Sequence, residues 1–283
     1  MPELPEVETI RRTLAPLVMG RTLLRVDLDW PGCVQVLGGR TLESSLPGAQ
    51  CIGTDRRGKY LLLQLDHDRT LVIHLRMTGR LAVEEVDAPA LRHQRAAIAM
   101  DDGRSLRFAD QRKFGRLALA EGPADLGRLL ARLGPEPFDP EDPAKPGTLF
   151  DQDGLALALA GRRAAVKAVL LDQRVVAGLG NIYVDEALHL SGVHPATPGG
   201  SVDAETVGRL VRAIRAVLAE AIASGGTTLA DYRDATGASG AFQARLQVFR
   251  RHGKPCPRCA TLIVRSVVAQ RGTHSCPRCQ PPP

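Results

Sequence analysis

Cys256-Pro257-Arg258-Cys259 and, after sixteen intervening residues, Cys276-Pro277-Arg278-Cys279 form two CxxC knuckles, the paired spacing of a structural zinc ribbon. Each knuckle sets two thiolates on one tight turn, and Leu262-Ile263-Val264 and Val267-Val268-Ala269 between them are expected to pair as a small hairpin. Sulfur donors at Cys256, Cys259, Cys276 and Cys279 close a four-coordinate shell, so a single Zn2+ held there serves folding rather than chemistry. The competing reading is two disulfides. It is disfavoured because the N-terminus, Met1-Pro2-Glu3-Leu4-Pro5-Glu6, is acidic and proline-punctuated where an export signal is basic and then apolar. Cys33 and Cys51 have no such spacing and read as buried small residues.

The charge around the knuckles is lopsided. The chain carries 37 basic and 31 acidic residues, a net +6, yet no Asp or Glu follows Asp234. Arg245, Arg250, Arg251, Lys254, Arg258, Arg265, Arg271 and Arg278 all fall in that final stretch, so the rest of the chain is slightly acidic. A localised basic segment suits a polyanion, most often nucleic acid; on charge alone a solvated basic tail is an equal alternative. At 283 residues with 44% hydrophobic and 24% charged content, the chain is long enough for about two domains with real cores. No apolar run approaches the roughly 18 residues that span a bilayer, so a non-exported, soluble protein with no membrane partner is expected.

Upstream of the knuckles the chain reads as three stretches. Val7, Ile10, Leu14 and Leu17 recur at helical spacing, with Pro5 in a first-turn position and Glu6 and Glu8 near the positive helix end, predicting an amphipathic helix from Pro5 to Val18. Residues 22 to 120 carry short β-type runs, among them Lys59 to Leu65 and Thr70 to Met77, and Asp102-Gly103 marks a hairpin between Ala96 to Met100 and Ser105 to Phe108. A mostly antiparallel sandwich or barrel follows. Gly134-Pro135-Glu136-Pro137 and Asp139-Pro140-Glu141-Asp142-Pro143 break regular structure and place a domain boundary. Residues 148 to 224 show helical periods, including Val207, Leu210, Val211, Ile214, Val217, Leu218 and Ile222. Gly178-Leu179-Gly180-Asn181 interrupts them as a helix-turn-helix-like junction whose next helix starts near Asn181; its amides suit a phosphate, although an ordinary turn with an Asn cap explains it as well. Gly225-Gly226 ends the long helix, and Ala235 to Gly240 is small enough for a mobile loop.

The residues with chemical potential are at the other end. Proline at position two normally permits removal of the initiator methionine, leaving a secondary amine at Pro2. An α-amino group has a reference pKa of about 7.7 to 8.0, so a neutral fraction is available to attack a sugar C1′ and form a Schiff-base iminium. Glu3 lies beside it. Lys59, one of five lysines, follows Gly58 in Arg56-Arg57-Gly58-Lys59-Tyr60. Taken singly, each has a plain explanation: a tolerated proline, helix-end glutamates and a solvated lysine.

Taken together they carry a resemblance. Pro2-Glu3-Leu4-Pro5-Glu6-Val7-Glu8 resembles the opening of the bacterial formamidopyrimidine-DNA glycosylases. Further matches run in order along nearly the whole chain: Arg57 to Leu61, His74 to Gly79, Asp110 to Gly115, Leu171-Asp172-Gln173 with Gly178 to Glu186, Gly225 to Leu229, and Gln270 to Thr273. Leu4 favours this branch over the related endonuclease VIII branch, which typically has glycine there.

The resemblance implies an α+β multidomain fold: an N-terminal antiparallel β-sandwich with a leading helix, a helical helix-two-turn-helix domain and a C-terminal zinc-ribbon hairpin. The expected division is a catalytic sandwich at 1–134, a linker at 135–147, a helical DNA-binding domain at 148–225, a mobile lesion-recognition loop at 226–246 and a zinc finger at 247–283. It implies a bifunctional enzyme of base excision repair that excises oxidised purines such as 8-oxoguanine and formamidopyrimidines, then cuts the strand by β- and δ-elimination. The Pro2 amine attacks C1′, Glu3 handles protons at the sugar, Lys59 serves β-elimination while contacting phosphate, and Arg271 serves phosphate contact and δ-elimination. Met77, Arg112 and Phe114 fill the void left by the extruded base, although without the family Met77 and Phe114 read as core residues. His74, His93, Arg162, Lys167 and Asn181 fall at or near positions used against phosphates or the lesion strand. The implied partner is double-stranded DNA with an oxidised or abasic site, met by a monomer in a bacterial cytoplasm and nucleoid-associated when bound.

Some positions depart from the family pattern. Ala241, in Ser239-Gly240-Ala241-Phe242, stands where many relatives have tyrosine, which bears on lesion preference. Gln111 replaces a usual proline and Lys113 a common arginine. His274 is a rival zinc ligand, but four cysteines already fill the shell. Three alternatives stay open: a glycosylase for oxidised pyrimidines, a non-catalytic zinc-ribbon DNA-binding protein, and an N-terminal-proline enzyme acting on a small carbonyl compound.

Overall fold

The computed structural model describes residues 2–35, 41–138, 150–228 and 232–283. Met1, the Asp139 to Pro143 break, most of the expected 135–147 linker, and Leu229 lie outside the described residues. The chain clusters into two compact units that cut across the expected linear division: Met1–Ala131 with Ser224–Ala241, and Arg132–Ala223 with Phe242–Pro283.

The first unit opens with helix α1 (Leu4–Val18). Its apolar stripe Val7, Ile10 and Leu14 is fully buried in the unit's core, as the 3.6-residue period requires. The strands β1 (Leu23–Asp27), β2 (Val34–Gln35), β3 (Cys51–Arg57), β4 (Tyr60–Leu65), β5 (Thr70–His74), β6 (Gly79–Glu85), β7 (Gln94–Met100), β8 (Arg104–Asp110) and β9 (Arg116–Ala120) form two sheets, in the orders β1-β7-β8-β6 and β2-β9-β5-β4-β3. Among the described residues only β2 and β9 pair in parallel. The short helices α2 (Leu42–Ser45) and α3 (Pro123–Leu130) complete the unit. Leu61, Leu63 and Leu65 of β4 face the core with α1, whereas Leu62 faces the other way among Val72, Ala118 and the apolar side of α3. That second cover explains why β4 is apolar on both faces. The β7–β8 turn is the expected one, with Gly103 at φ +80°. The strand expected to reach Met77 ends at His74, because Arg76 adopts a left-handed conformation at φ 55°.

The second unit contains α4 (Gln152–Leu159), α5 (Val166–Leu171), α6 (Asn181–Ser191) and α7 (Ala204–Ala223), followed by strands β10 (Val264–Val268) and β11 (Arg271–Ser275). The helical junction is braced by one side chain. Gln173 Nε2 donates to the carbonyl of Leu179 (2.8 Å), while its Oε1 accepts from Gly178 N–H (3.0 Å); Gly178 takes φ +87° at the turn. The hairpin register corrects the sequence expectation. Val264 pairs with Ser275 and Val268 with Arg271, so the second strand lies beyond residues 267–269, and the apolar runs are not partners. The two-residue turn is Ala269-Gln270, both left-handed at φ 50° and 58°. That conformation normally calls for Asn or Gly, so nothing in the local sequence announces it. Among the described residues no helix is long and apolar enough to cross a membrane.

Candidate functional site

In the first unit, Pro2 and Glu3 are buried at the start of α1. Glu3 caps the helix in a reciprocal box with Glu6, whose Oε2 accepts from Glu3 N–H at 2.8 Å. The other oxygen of Glu6 accepts from Thr227 N–H at 2.7 Å, and Tyr232 Oη donates to the Glu6 carbonyl at 3.3 Å. One carboxylate therefore joins the N-terminus to the segment after α7. This is why residues up to Ala241, expected as part of a separate loop, cluster with the N-terminal unit.

Lys59 is buried at the β3–β4 turn, where Gly58 takes φ +57°. Its position relative to α1 is set by Glu8 and Arg56, to which the sequence assigns no part in the site. Glu8 pairs with Arg11 (2.7 Å), Arg12 (2.7 Å) and Arg56 (3.3 Å), and Arg56 Nη1 donates to the Gly58 carbonyl at 3.2 Å. Burial alone would raise the Glu8 carboxyl, but the hydrogen bonds from Arg11 and Arg12, with the charges of Arg11 and Arg56, hold it below the usual range. A carboxylate at this spacing on the buried side of an otherwise apolar stripe is the available sequence signal.

His74 is buried edge-on against Tyr60, with ring centroids 4.5 Å apart. Burial, then the charges of Arg76 and Lys59, push its pKa down to about 3. The ring is therefore neutral, and its Nδ1 accepts from Arg76 N–H at 3.0 Å, which leaves the proton on Nε2 as a donor suited to a phosphate oxygen.

Met77, Arg112 and Phe114 come together on the surface of the same unit. Arg112 Nη1 lies 3.0 Å from Met77 Sδ and its guanidinium carbon 4.9 Å from the Phe114 ring centre. Met77 is 43% and Phe114 48% exposed, which excludes the core reading of both. The loop that carries them is organised by Asp110, another residue the sequence reading left without a role. Its buried carboxylate accepts from the Thr78 hydroxyl, Arg112 N–H (3.2 Å) and Gly115 N–H (2.7 Å). Beside this loop His93, at φ 62°, lines a cleft of about 370 Å³ with Thr78, Arg80, Arg92, Gln111 and Arg233.

In the second unit, Arg162 is exposed in the connection between α4 and α5 and Arg271 is exposed at the start of β11. Lys167 is placed otherwise than a phosphate ligand would be. It is fully buried, and its Nζ donates to Asp185 Oδ1 (2.6 Å), Thr273 Oγ1 (2.8 Å) and the Gly272 carbonyl (3.3 Å). A buried ammonium requires such a partner. Asn181 Nδ2 likewise donates to the Gly272 carbonyl at 3.0 Å. Both side chains thus hold the strand that carries Arg271.

The four cysteine sulfurs lie within 4.8 Å of one another, with Cys256–Cys279 at 3.9 Å, Cys259–Cys276 at 3.4 Å and Cys259–Cys279 at 3.5 Å. Tetrahedral Zn–S bonds of about 2.3 Å require sulfurs about 3.8 Å apart, so the set fits one zinc ion. His274 is outside this set, and its backbone N–H donates to Asp185 Oδ2 at 2.9 Å. Cys33 and Cys51 are buried, and burial pushes the Cys33 thiol up to about 11 and raises Cys51 as well.

Comparison with known proteins matches residues 1–117 to the formamidopyrimidine-DNA glycosylase N-terminal domain, 133–233 to the formamidopyrimidine-DNA glycosylase H2TH domain, and 253–282 to the zinc finger found in FPG and IleRS. The formamidopyrimidine-DNA glycosylase of Symbiobacterium thermophilum is 50% identical over 100% of this chain and 90% of its own length. Among solved structures, a variant of Lactococcus lactis FPG in complex with Fapy-dG-containing DNA superposes with TM-score 0.91 at 36% identity, covering 99% of this chain and 100% of that one. The Lactococcus lactis Fpg complex with abasic-site DNA gives TM-score 0.90 at 36% identity over the same shares.

Proposed function

The chain belongs to the formamidopyrimidine-DNA glycosylase family, and from that premise we propose that it excises oxidised purines through a Schiff base on Pro2 and then cuts the strand at the resulting site. It is a DNA glycosylase of base excision repair, acting on duplex DNA with an oxidised or abasic site and carrying one structural zinc. The observation that carries the reading is the exposed Met77–Arg112–Phe114 cluster. Two large apolar side chains flank one guanidinium at the surface, and extruding a base from a duplex leaves a void that such a cluster fits.

The chemistry assigned to each residue follows from its type and setting. The neutral amine of Pro2, exposed as the chain terminus once Met1 is removed, attacks C1′ while the N-glycosidic bond breaks and the base leaves. The C1′–O4′ bond then breaks, O4′ taking a proton as the sugar ring opens, and the iminium so formed acidifies C2′; loss of a C2′ proton expels the 3′ phosphate, and a second elimination releases the 5′ phosphate. Glu3 moves protons at the sugar, Lys59 serves the first elimination and holds phosphate, and Arg271 serves the second. His74 donates from Nε2, and His93 and Arg162 supply further phosphate contacts. Lys167 and Asn181 act by seating the hairpin. Zinc, when bound, fixes the two knuckles relative to each other. A cytoplasmic, monomeric enzyme that joins the nucleoid on binding DNA completes the proposal.

The substrate assignment is tested by release of 8-oxoguanine, formamidopyrimidine and thymine glycol from otherwise identical duplexes. Preferential release of the two purine products is expected. Preference for thymine glycol would replace this reading with the oxidised-pyrimidine one.

A further inference from the structure

Three residues on one face of α6, at four-residue steps, reach the zinc-bearing segment: Asn181 to the Gly272 carbonyl (3.0 Å), Asp185 to Lys167 (2.6 Å) and His274 N–H (2.9 Å), and His189 to Cys256. The last contact is unlike the others because its partner is a metal ligand. His189 is 0% exposed, and its Nε2 lies 3.4 Å from Cys256 Sγ. Its other ring nitrogen, Nδ1, is buried with no hydrogen-bond partner among the described residues.

We propose that His189 donates its Nε2 proton to the zinc-bound thiolate of Cys256 and so makes metal binding and the seating of α6 a single event. A zinc-bound cysteine sulfur has lost its proton and can only accept. Across 3.4 Å of buried space the proton must therefore sit on Nε2, which leaves Nδ1 as a bare acceptor. Packing does not explain an imidazole here, because an apolar side chain could fill the site without burying an unpaired nitrogen. Partners that hydrogen-bond to metal ligands orient them and tune their charge. The Cys256 knuckle also grips the end of the helix, since Arg258 Nη1 donates to the His189 carbonyl at 3.0 Å, and Gln280 Nε2, just after the second knuckle, donates to the Val193 carbonyl past the helix end at 2.8 Å. Helix and knuckle thus exchange hydrogen bonds in both directions, with His189 a positioning residue for the metal.

The test uses the full chain with His189→Phe and His189→Gln, the amide nitrogen of glutamine standing in for Nε2. Zinc affinity is read by competition with a chromophoric chelator, and the thiolate-to-metal charge-transfer band is read after cobalt(II) substitution. His189→Phe is expected to bind zinc about 10- to 100-fold more weakly and to move the band to lower energy, since the sulfur loses its donor. His189→Gln restores both. An unchanged affinity and band in His189→Phe overturns the proposal, as does an equal loss in both variants, which would mark a packing role. Should the variants fail to fold, the unmutated chain loaded with cadmium-113 decides: a scalar coupling between the metal and the His189 Nε2 proton is expected, and its absence contradicts the hydrogen bond.

Discussion

Both carboxylate oxygens of Glu6 are committed, one to Glu3 N–H and one to Thr227 N–H, and the neighbouring Gly226 is at φ +78°, where an added Cβ would meet Glu6 Oε1 at 2.9 Å. Glu6→Gln keeps one acceptor and turns an amide toward the other donor, leaving a buried N–H unpaired at a cost of about 1–3 kcal/mol. Thermal unfolding should show it as a loss of about 2–4 °C per kcal/mol, and an unchanged melt would deny Glu6 its bridging role. His74 makes a separate prediction in pH. Its folded pKa of about 3 lies below the unfolded value of about 6.5, so the unfolded chain takes up the proton first as pH falls. The stabilisation is whole above about pH 6.5 and is lost progressively toward pH 3. Between pH 7 and 5 the protein should lose about 2 kcal/mol more than His74→Asn, whose side-chain oxygen replaces Nδ1 as acceptor. Equal losses in urea titrations at the two pH values would count against a buried neutral imidazole. The bridge and the buried ring were not legible in the sequence, because the Thr227 and Tyr232 partners of Glu6 lie more than 220 residues away and nothing local marks His74 as buried.

Elements were legible in proportion to how local their signals are. The apolar period of α1, the Asp102-Gly103 turn and the CxxC spacing each place their element from residues within a few positions. The zinc hairpin was misregistered because Ala269 and Gln270 adopt left-handed conformations without the residues that usually signal them. Its apolar residues also mislead: Val267 is 71% exposed and Leu262 59%, so they mark no buried face. The candidate site divides the same way. Pro2, Glu3, Lys59 and the Met77–Arg112–Phe114 cluster follow motif positions, whereas Asp110, Glu8 and Arg56, which fix the geometry around them, act through folded contacts. At this scale the loop after β8 is open to test. Phe114→Ala removes a stacking surface worth about 1–3 kcal/mol, so kcat/KM on an 8-oxoguanine duplex should fall about 10- to 100-fold, with a smaller loss on a duplex whose abasic site is already formed. Equal losses on both substrates would show that Phe114 does not act in base extrusion.

At the scale of the whole molecule, the two units can be followed separately. Trp30, the only tryptophan in the sequence, lies in the N-terminal unit and reports on that unit alone. Removal of zinc by a strong chelator should abolish duplex cleavage while leaving the Trp30 emission of the folded N-terminal unit unchanged; a coincident change in emission would mean that the units do not hold their folds separately. Duplex affinity should fall linearly on a log–log scale with salt, with a slope of about 0.9 per phosphate contact, and Arg162→Ala should reduce that slope by about one. The central claim concerns the amine at Pro2, and borohydride reduction tests it most directly. With the zinc-loaded protein whose Met1 removal has been verified by mass, incubation with a duplex bearing 8-oxoguanine opposite cytosine should trap a covalent protein–DNA adduct that maps to residue 2 and is absent from a protein retaining Met1. A processed protein that binds and cleaves this duplex with no adduct at residue 2 would contradict the account.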